Sequence, residues 1–462
     1  MSDILDQDAC AQATAIHDGL VSARELAEAA ITRIEAVNPE LNALSWERFE
    51  QALDECDRIN PAAPFAGVPI LLKDHRCTAA GQETRYGTTA LNDTHVPGHT
   101  DSNIYRAIVD AGFVVLGRTT VPEFATAFVT ESEATGITRN PRALERTPGG
   151  SSGGAAAAVA SGMVAVAHAT DGGGSIRQPA SCCGLVGLKP SRGRISMGPD
   201  AGESWAGATV EGVITRTVRD AAAVTAALAT PFLGDPYSVA GNPLSSTPGT
   251  GGPLRIGVMR QHPTGTPWPS SDVSAVVESI AAVLSDRGHR LSDSFPNALT
   301  ETEYQSHYDT IVDIDVELLS RKVEALLGRP LDDAELAPRN AAKRARARAL
   351  SAPGYLESRY WLATWTYRLS SWWSDFDVLM TPTMGDLPAL AGGDDASIGD
   401  RSMAMTAMTN FANIGGLPAI SLPLGSSESG IPIGIQFVGR QGAEDMLVAL
   451  AAEFESAGPW AI

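Results

Sequence analysis

Apolar residues along the chain recur with the periods of helices and of short buried strands. From about residue 3 to residue 36 they follow helical spacing, and Ser22 is the expected N-cap of a second helix. The run Gly-Val-Pro-Ile-Leu-Leu at 67–72 predicts a buried strand that ends at Lys73, and residues 102–117 predict a helix followed by another such strand. Because helical segments alternate with buried strands, the pattern predicts the α/β class.

Three further regions extend this pattern. Residues 154–167 are small and apolar, which suits a helix packed closely against a sheet and then a strand. Residues from about 300 to 375 are helical in pattern and rich in Tyr and Trp; we interpret most of these rings as helix-packing residues and expect some to line a substrate pocket. The sequences PAISLPL (418–424) and IPIGIQFVG (431–439) predict strands near the C-terminus.

Charge and cysteine content narrow the functions open to this chain. The 34 Lys and Arg residues face 54 Asp and Glu residues, a formal net charge of −20. Such a field repels phosphate backbones and anionic lipid, so we expect neither nucleic acid nor a membrane as partner. The five cysteines include no C-x-x-C pair, which predicts no disulfide framework and no metal site, and we expect no cofactor. No signal peptide and no long apolar run is present, which predicts a cytoplasmic enzyme.

Two local interpretations rest on composition alone. The basic run formed by Lys343, Arg344, Arg346 and Arg348 alternates with alanine, and we interpret it as the solvated face of a helix. The adjacent cysteines at 182 and 183 are interpreted as small buried packing residues rather than a redox pair.

Lys73 and the segment 149–154 are the first two candidates for chemistry. Lys73 is one of four lysines and follows an apolar run. Partial desolvation would lower the pKa of its amine and let it act as a base. The alternative is a strand-end lysine that reaches solvent. In residues 149–154, four glycines surround Ser151 and Ser152, and the alternative there is a flexible loop.

The third candidate is the segment 170–179, which places three glycines immediately before Ser175. Successive backbone N–H groups at a serine are what an oxyanion hole requires, because they converge on charge that develops when the serine attacks a carbonyl. Asp171 and Arg177 flank this turn and are expected to brace it as an ion pair. The alternative is a tight structural turn.

Other catalytic patterns fit less well. The nucleophile-elbow pattern G-x-S-x-G occurs twice, centred on Ser151 and on Ser152. That motif should follow a buried strand, whereas residues 142–148 are polar and contain proline, so an α/β-hydrolase is not favoured. The sequence has no Walker A motif and no H-E-x-x-H, and no histidine lies in an evident triad context.

Together these segments resemble the amidase signature family of hydrolases. The resemblance rests on GVPILLKD (67–74), PGGSSGG (148–154) and TDGGGSIRQP (170–179), and on the 24 positions between Ser151 and Ser175. It covers most of the chain outside about 290–375, because it also extends through residues 184–191, 210–220, 417–423 and 430–440.

The resemblance implies a fold and a domain organisation. It implies an amidase signature fold, in which a large twisted mixed β-sheet is flanked by helices on both sides. Residues 1–462 are expected to form a single domain, with the catalytic core at about 60–220. The region at about 290–375 is expected to be a variable helical region on the substrate side.

The resemblance also assigns roles to individual residues. It implies a Ser–cis-Ser–Lys triad in which Lys73 is the base, Ser151 the bridging serine and Ser175 the nucleophile that forms an acyl-enzyme. The peptide bond between Gly150 and Ser151 is accordingly expected to be cis. The oxyanion hole is expected to use the backbone N–H groups of Gly172, Gly173, Gly174 and Ser175, and the supporting residues are Ser152, Thr170, Asp171 and Arg177.

The substrate expectation rests on weaker similarity. Residues 138–148 and 198–205 look most like bacterial amidases of the nylon-oligomer hydrolase and urethanase kind. With the aromatic residues of 290–375, this predicts a small, uncharged, partly aromatic linear amide or a carbamate, acted on by a monomer or homodimer. Gly172 stands where the family usually has a larger residue, so we expect a more mobile oxyanion loop.

Three alternatives remain at this level. The first is the catalytic subunit of a tRNA-dependent amidotransferase, which shares the signature but needs partner proteins. The second is a urethanase or esterase with only weak amidase activity, since acyl transfer at a serine is nearly the same for all three bond types. The third is a catalytically silent binding protein on the same fold.

Overall fold

The computed structural model describes residues 2–94, 97–230, 232–239, 243–249, 251–265, 269–392, 408–456 and 460. Its strands are β1 Leu44–Glu47, β2 Pro69–Lys73, β3 Val114–Thr119, β4 Glu131–Ser132, β5 Gly136–Ile137, β6 Val166–Asp171, β7 Val186–Lys189, β8 Val210–Thr215, β9 Arg255–Val258, β10 Arg290–Ser292, β11 Val378–Pro382, β12 Ala419–Ser426 and β13 Pro432–Gly439. Its helices are α1 Ser2–Leu5, α2 Ala9–His17, α3 Ala23–Leu41, α4 Phe49–Cys56, α5 Asn103–Asp110, α6 Gly153–Ala160, α7 Arg177–Cys183, α8 Val218–Leu228, α9 Ser271–Asp286, α10 Glu303–Leu327, α11 Pro338–Ala349, α12 Ala352–Ser370, α13 Asn410–Ile414 and α14 Glu444–Glu455.

All strands except the β4–β5 hairpin join one eleven-stranded sheet in the order β1-β3-β2-β6-β8-β7-β12-β13-β11-β9-β10. The sheet is mixed. Strand β2 pairs in parallel with β3 and β6, whereas β6, β8, β7, β12, β13 and β11 pair antiparallel in succession. The predicted mixed sheet is therefore confirmed.

Helices cover both faces of the sheet, because alternate residues of each strand point to opposite sides. On β2, Ile70 and Leu72 pack with α2, α5 and α8, while Leu71 packs with α3 and α6. Further along the sheet, Ile420 of β12 packs with α9 and α14, and its neighbour Ala419 packs with α10 and α12. The α/β class and the flanking of the sheet on both sides are confirmed.

Predictions of caps, strands and packing residues that rest on short segments of the sequence are confirmed. Ser22 caps α3 and forms a capping box with Glu25, as its position before the apolar pattern predicts. The predicted strand at 67–72 is β2, and the small apolar run gives α6 followed by β6. Cys182 and Cys183 are fully buried, which confirms the packing interpretation. In the described residues, no helix is both long and apolar enough to span a bilayer.

The region 300–375 is helical, as predicted, and forms α10, α11 and α12. Its rings differ in burial, and Tyr355, Trp361 and Trp372 are partly buried. Tyr304, Tyr308, Trp365 and Trp373 are buried in one core cluster, whereas Tyr360 and Tyr367 are among the exposed large side chains.

The basic run in α11 is a solvated face only in part: the side chains of Arg346 and Arg348 are 57% and 46% exposed, but the interpretation was wrong for Arg344. Its side chain is 1% exposed and pairs with Glu317, Glu324 and Asp333. Arg346 bonds Asp313, so the run joins α11 to α10 through ion pairs. Alternation with alanine predicts a polar helix face, but it does not say whether another helix with carboxylates lies against that face.

Candidate active site

Lys73 ends β2 inside the protein, with no solvent exposure. Its Nζ lies 2.8 Å from Ser151 Oγ, 2.8 Å from Thr170 Oγ1 and 3.4 Å from the Thr170 carbonyl oxygen. A neutral amine has two hydrogens and one lone pair. Two hydrogens directed at Thr170 leave the lone pair for the Ser151 hydroxyl, so this geometry suits a base.

The electrostatics of the Lys73 amine agree with that geometry. Burial lowers its pKa from 10.5 to about 7, while the carboxylates of Glu211 and Asp171 oppose that shift. A lysine with such a pKa is substantially neutral near pH 7 and can accept a proton. The alternative of a lysine that reaches solvent is excluded by its burial.

Ser151 and Ser152 lie at the start of α6, in a buried segment rather than a flexible loop. The peptide bond between Gly150 and Ser151 is cis, as predicted. The glycines here permit close packing, since a Cβ on Gly153 would lie 2.2 Å from Thr130 Oγ1. The Ser152 hydroxyl donates to the Thr170 carbonyl oxygen at 3.3 Å, the same oxygen that the Lys73 amine contacts.

Asp171 and Arg177 form the predicted ion pair, fully buried, with two hydrogen bonds of 2.9 Å. Burial alone would raise the pKa of Asp171, but the Arg177 guanidinium holds it far below its usual value. Arg177 also donates to Gln436 and Asn413 at 2.5 Å each and to the Thr409 carbonyl oxygen at 2.9 Å. The pair therefore ties the end of β6 and the start of α7 to β13 and to the start and body of α13.

The glycine loop before Ser175 differs from the prediction at one position. The Gly174 N–H donates to Asp171 Oδ1 at 2.7 Å, so it braces the turn and is not open to an oxyanion. The N–H groups of Gly172, Gly173 and Ser175 have no acceptor among the described residues. The Ser175 side chain is 5% exposed, and its hydroxyl likewise has no partner within the described part of the chain.

The carbonyls of this loop are anchored by two residues that the sequence did not reveal. Tyr308 of α10 donates to the Gly172 carbonyl oxygen at 2.5 Å, and Thr409 donates to that of Gly173 at 2.5 Å. Because a peptide group is planar, the first of these bonds also fixes the direction of the Gly173 N–H. These bonds restrain the loop, contrary to the mobility expected from Gly172.

Trp205 explains why residue 172 is a glycine. A Cβ there would lie 2.7 Å from the indole ring of Trp205, so the ring occupies the space of a larger side chain at 172. The indole N–H donates to Asp315 of α10 at 3.0 Å, and the ring meets Tyr308 edge to face. No cluster of His, Cys, Asp or Glu that could hold a metal ion occurs among the described residues.

Comparison with known proteins covers nearly the whole chain. Residues 25–448 match the family model described as Amidase. The 6-aminohexanoate-cyclic-dimer hydrolase of Paenarthrobacter ureafaciens is 39% identical over 479 aligned positions, which cover 98% of this chain and 95% of that protein.

Two solved structures extend the comparison. A 6-aminohexanoate cyclic dimer hydrolase complexed with substrate superimposes with a TM-score of 0.94 at 36% identity, covering 99% of this chain and 98% of that one. A bacterial aryl acylamidase of the amidase signature enzymes superimposes with a TM-score of 0.88 at 26% identity, and the alignment covers 98% of this chain and 96% of that one. The chain therefore belongs to the amidase signature family of hydrolases, which act on amide C–N bonds.

Proposed function

We propose that this chain hydrolyses amides through an acyl-enzyme on Ser175, with Ser151 and Lys73 as the proton relay. The observation that carries the proposal is the buried Lys73 amine, 2.8 Å from Ser151 Oγ, with a pKa of about 7. A buried amine without a carboxylate in hydrogen-bond contact is costly to protonate, and that cost is consistent with a catalytic base.

The proposed reaction begins when Ser175 Oγ attacks the amide carbonyl carbon. Its proton passes to Ser151 Oγ as the Ser151 proton passes to Lys73 Nζ. Collapse of the tetrahedral intermediate breaks the C–N bond, and the protonated lysine returns a proton through Ser151 to the leaving amine. Water then attacks the acyl-enzyme by the same relay and releases the acid.

Three backbone donors support the oxyanion in this proposal. Within the part of the chain that the structure describes, the N–H groups of Gly172, Gly173 and Ser175 have no acceptor, while Gly174 serves to hold the turn. Donors fixed before the reaction need no reorganisation as charge develops. Removal of one such donor typically lowers kcat by about 10²–10³-fold. Tyr308 is assigned the role of holding the Gly173 N–H in place.

An uncharged acyl group fits the surroundings of the loop. The ring of Phe128 would lie 3.6 Å from a Cβ on Gly173, and Trp205 and Tyr308 stand on the neighbouring side. Apolar and aromatic walls with a few polar groups are typical of small-molecule sites. With the relatives named above, this supports an aliphatic amide oligomer, cyclic or linear, as the first candidate substrate, and aryl amides and carbamates as the second.

A substrate panel tests this proposal. The purified chain alone is offered the cyclic and the linear dimer of 6-aminohexanoate, p-nitroacetanilide, a p-nitrophenyl ester and a dianiline-type carbamate. We expect amide cleavage that Ser175→Ala reduces by at least about 10³-fold. The matched control is Ser161→Ala, which replaces a serine at the end of α6 whose hydroxyl bonds carbonyls of its own helix.

The panel also decides among the alternatives. Turnover of the amides by the isolated chain excludes an amidotransferase subunit that requires partners. Turnover of the ester or the carbamate with little amide cleavage identifies an esterase or urethanase instead. No turnover, together with no labelling by a serine-reactive phosphonate, would indicate a silent binding protein and would contradict the proposal.

A further inference from the structure

A buried histidine–glutamate pair lies next to the backbone of Lys73. The ring of His168 on β6 accepts the backbone N–H of Lys73 at its Nδ1, at 3.2 Å. Its Nε2 lies 2.8 Å from Oε2 of Glu211 on β8. The exposed fractions of the two side chains are 0% and 2%. The mechanism proposed above uses neither of them.

The hydrogen bonds determine which ring nitrogen carries the proton. Nδ1 accepts a backbone N–H, so it holds no hydrogen of its own. Nε2 must then carry the hydrogen and donate it to the carboxylate of Glu211. The imidazole is neutral in this arrangement, and Glu211 brings a negative charge into the interior that His168 does not cancel.

That charge acts on the Lys73 amine. After burial, the Glu211 carboxylate has the largest influence on the pKa of Lys73, and it acts to raise it. Asp171 acts in the same direction and Arg76 in the opposite one. The charged or titratable groups that face Lys73 from the packed elements are His168 and Asp171 on β6, Glu211 on β8, Arg118 on β3, and Asp74, His75 and Arg76 after β2.

We propose that His168 and Glu211 form a positioning pair for Lys73: the imidazole holds the end of β2 through the Lys73 N–H, and the Glu211 carboxylate holds the imidazole and places a negative charge near the amine. The function of the pair rests on the role proposed for Lys73. Without the carboxylate, the pKa of the buried amine would be lower. The amine would then be neutral at lower pH, but it would be a weaker base toward the Ser151 proton.

A second His–Glu pair in the chain supplies a matched control. His289 accepts the Leu254 N–H at Nδ1, at 3.1 Å, and its Nε2 lies 3.3 Å from Glu453. The hydrogen-bond arrangement is the same, but the pair lies at the β9 end of the sheet and is not among the charges that act on Lys73. Glu453→Gln therefore removes an equivalent carboxylate without touching the site.

The test measures the titration of Lys73 directly. The chain has only four lysines, so ¹³C-labelled lysine gives few signals, and Lys73→Met assigns the one of interest. In Glu211→Gln, which keeps an acceptor for His168, we expect the Lys73 titration to move down by about one pH unit or more. Glu453→Gln should leave it in place. Glu211→Ala repeats the measurement if the glutamine variant does not fold.

The pH dependence of kcat/KM is measured on the same variants. If the acidic pKa of the kcat/KM profile falls together with the Lys73 titration, the result supports the positioning pair and its role in catalysis. If the Lys73 titration moves while the kcat/KM profile does not, the result supports the pair but contradicts the role of Lys73 as the base. A Lys73 titration unchanged in Glu211→Gln would overturn the inference, whatever the activity.

Discussion

Replacing Lys73 with methionine should make the protein more stable while it abolishes activity. The wild-type amine has no solvent exposure and a pKa lowered by burial from 10.5 to about 7. Methionine has a similar length and carries no charge to desolvate. The free energy of unfolding should therefore increase at any pH at which the folded protein otherwise has to bury an ammonium group.

The magnitude follows from proton linkage. Between pH 7 and 10.5 the unfolded chain holds a proton on Lys73 that the folded protein does not, so wild-type stability rises with pH by about 1.4 kcal/mol per unit. Below pH 7 the full cost of about 5 kcal/mol applies. The methionine variant loses about 1–2 kcal/mol because the hydroxyls of Ser151 and Thr170 lose a partner. We expect a net gain of about 3 kcal/mol at pH 6, and about zero at pH 9.

Urea unfolding of both proteins at pH 6, 7, 8 and 9 measures this difference. All other titrating groups are common to the two proteins and cancel in the comparison. Lys322→Met is the control, because Lys322 lies on the exposed side of α10. A stability difference that stays constant from pH 6 to pH 9 would refute the argument that Lys73 loses its proton on folding.

Two further predictions concern α10. Tyr308→Phe removes the hydroxyl that holds an oxyanion-loop carbonyl, and we expect kcat to fall about tenfold with KM nearly unchanged. Tyr304→Phe, on the same helix, removes a hydroxyl that bonds His262, and we expect kcat to stay within about twofold in steady-state assays. Arg344→Met removes a buried guanidinium that joins Glu317, Glu324 and Asp333 and should cost about 3–5 kcal/mol in urea unfolding. Arg321→Met removes a partner of the same Glu317, but its side chain is 66% exposed, so it should cost less than about 1 kcal/mol.

Much of the candidate site could be predicted because its groups lie in short local segments. The apolar run that forms β2 ends at Lys73 and places it in the interior, and the glycines around Ser151 indicate close packing at the start of α6. The buried pair of Asp171 and Arg177 spans only six positions and one turn. Signals of this kind need no knowledge of distant contacts.

The groups that complete the site come from far along the chain. Tyr308 and Thr409 hold the loop from 136 and 236 positions away, and Asn413 reaches Asp171 from 242 positions. No periodicity or motif marks such residues, because their role depends on how the sheet brings β6, α10 and α13 together. The same reason explains Arg344, whose carboxylate partners on α10 are not visible from the pattern of α11.

The identity of the nucleophile is the central claim, and covalent labelling tests it most directly. The purified chain is treated with a fluorophosphonate at pH 8, and the modified peptide is located by mass spectrometry. The account predicts one adduct on Ser175, no adduct in Ser175→Ala, and much slower labelling in Lys73→Met. An adduct on another serine, or amide hydrolysis by Ser175→Ala at the wild-type rate, would contradict it.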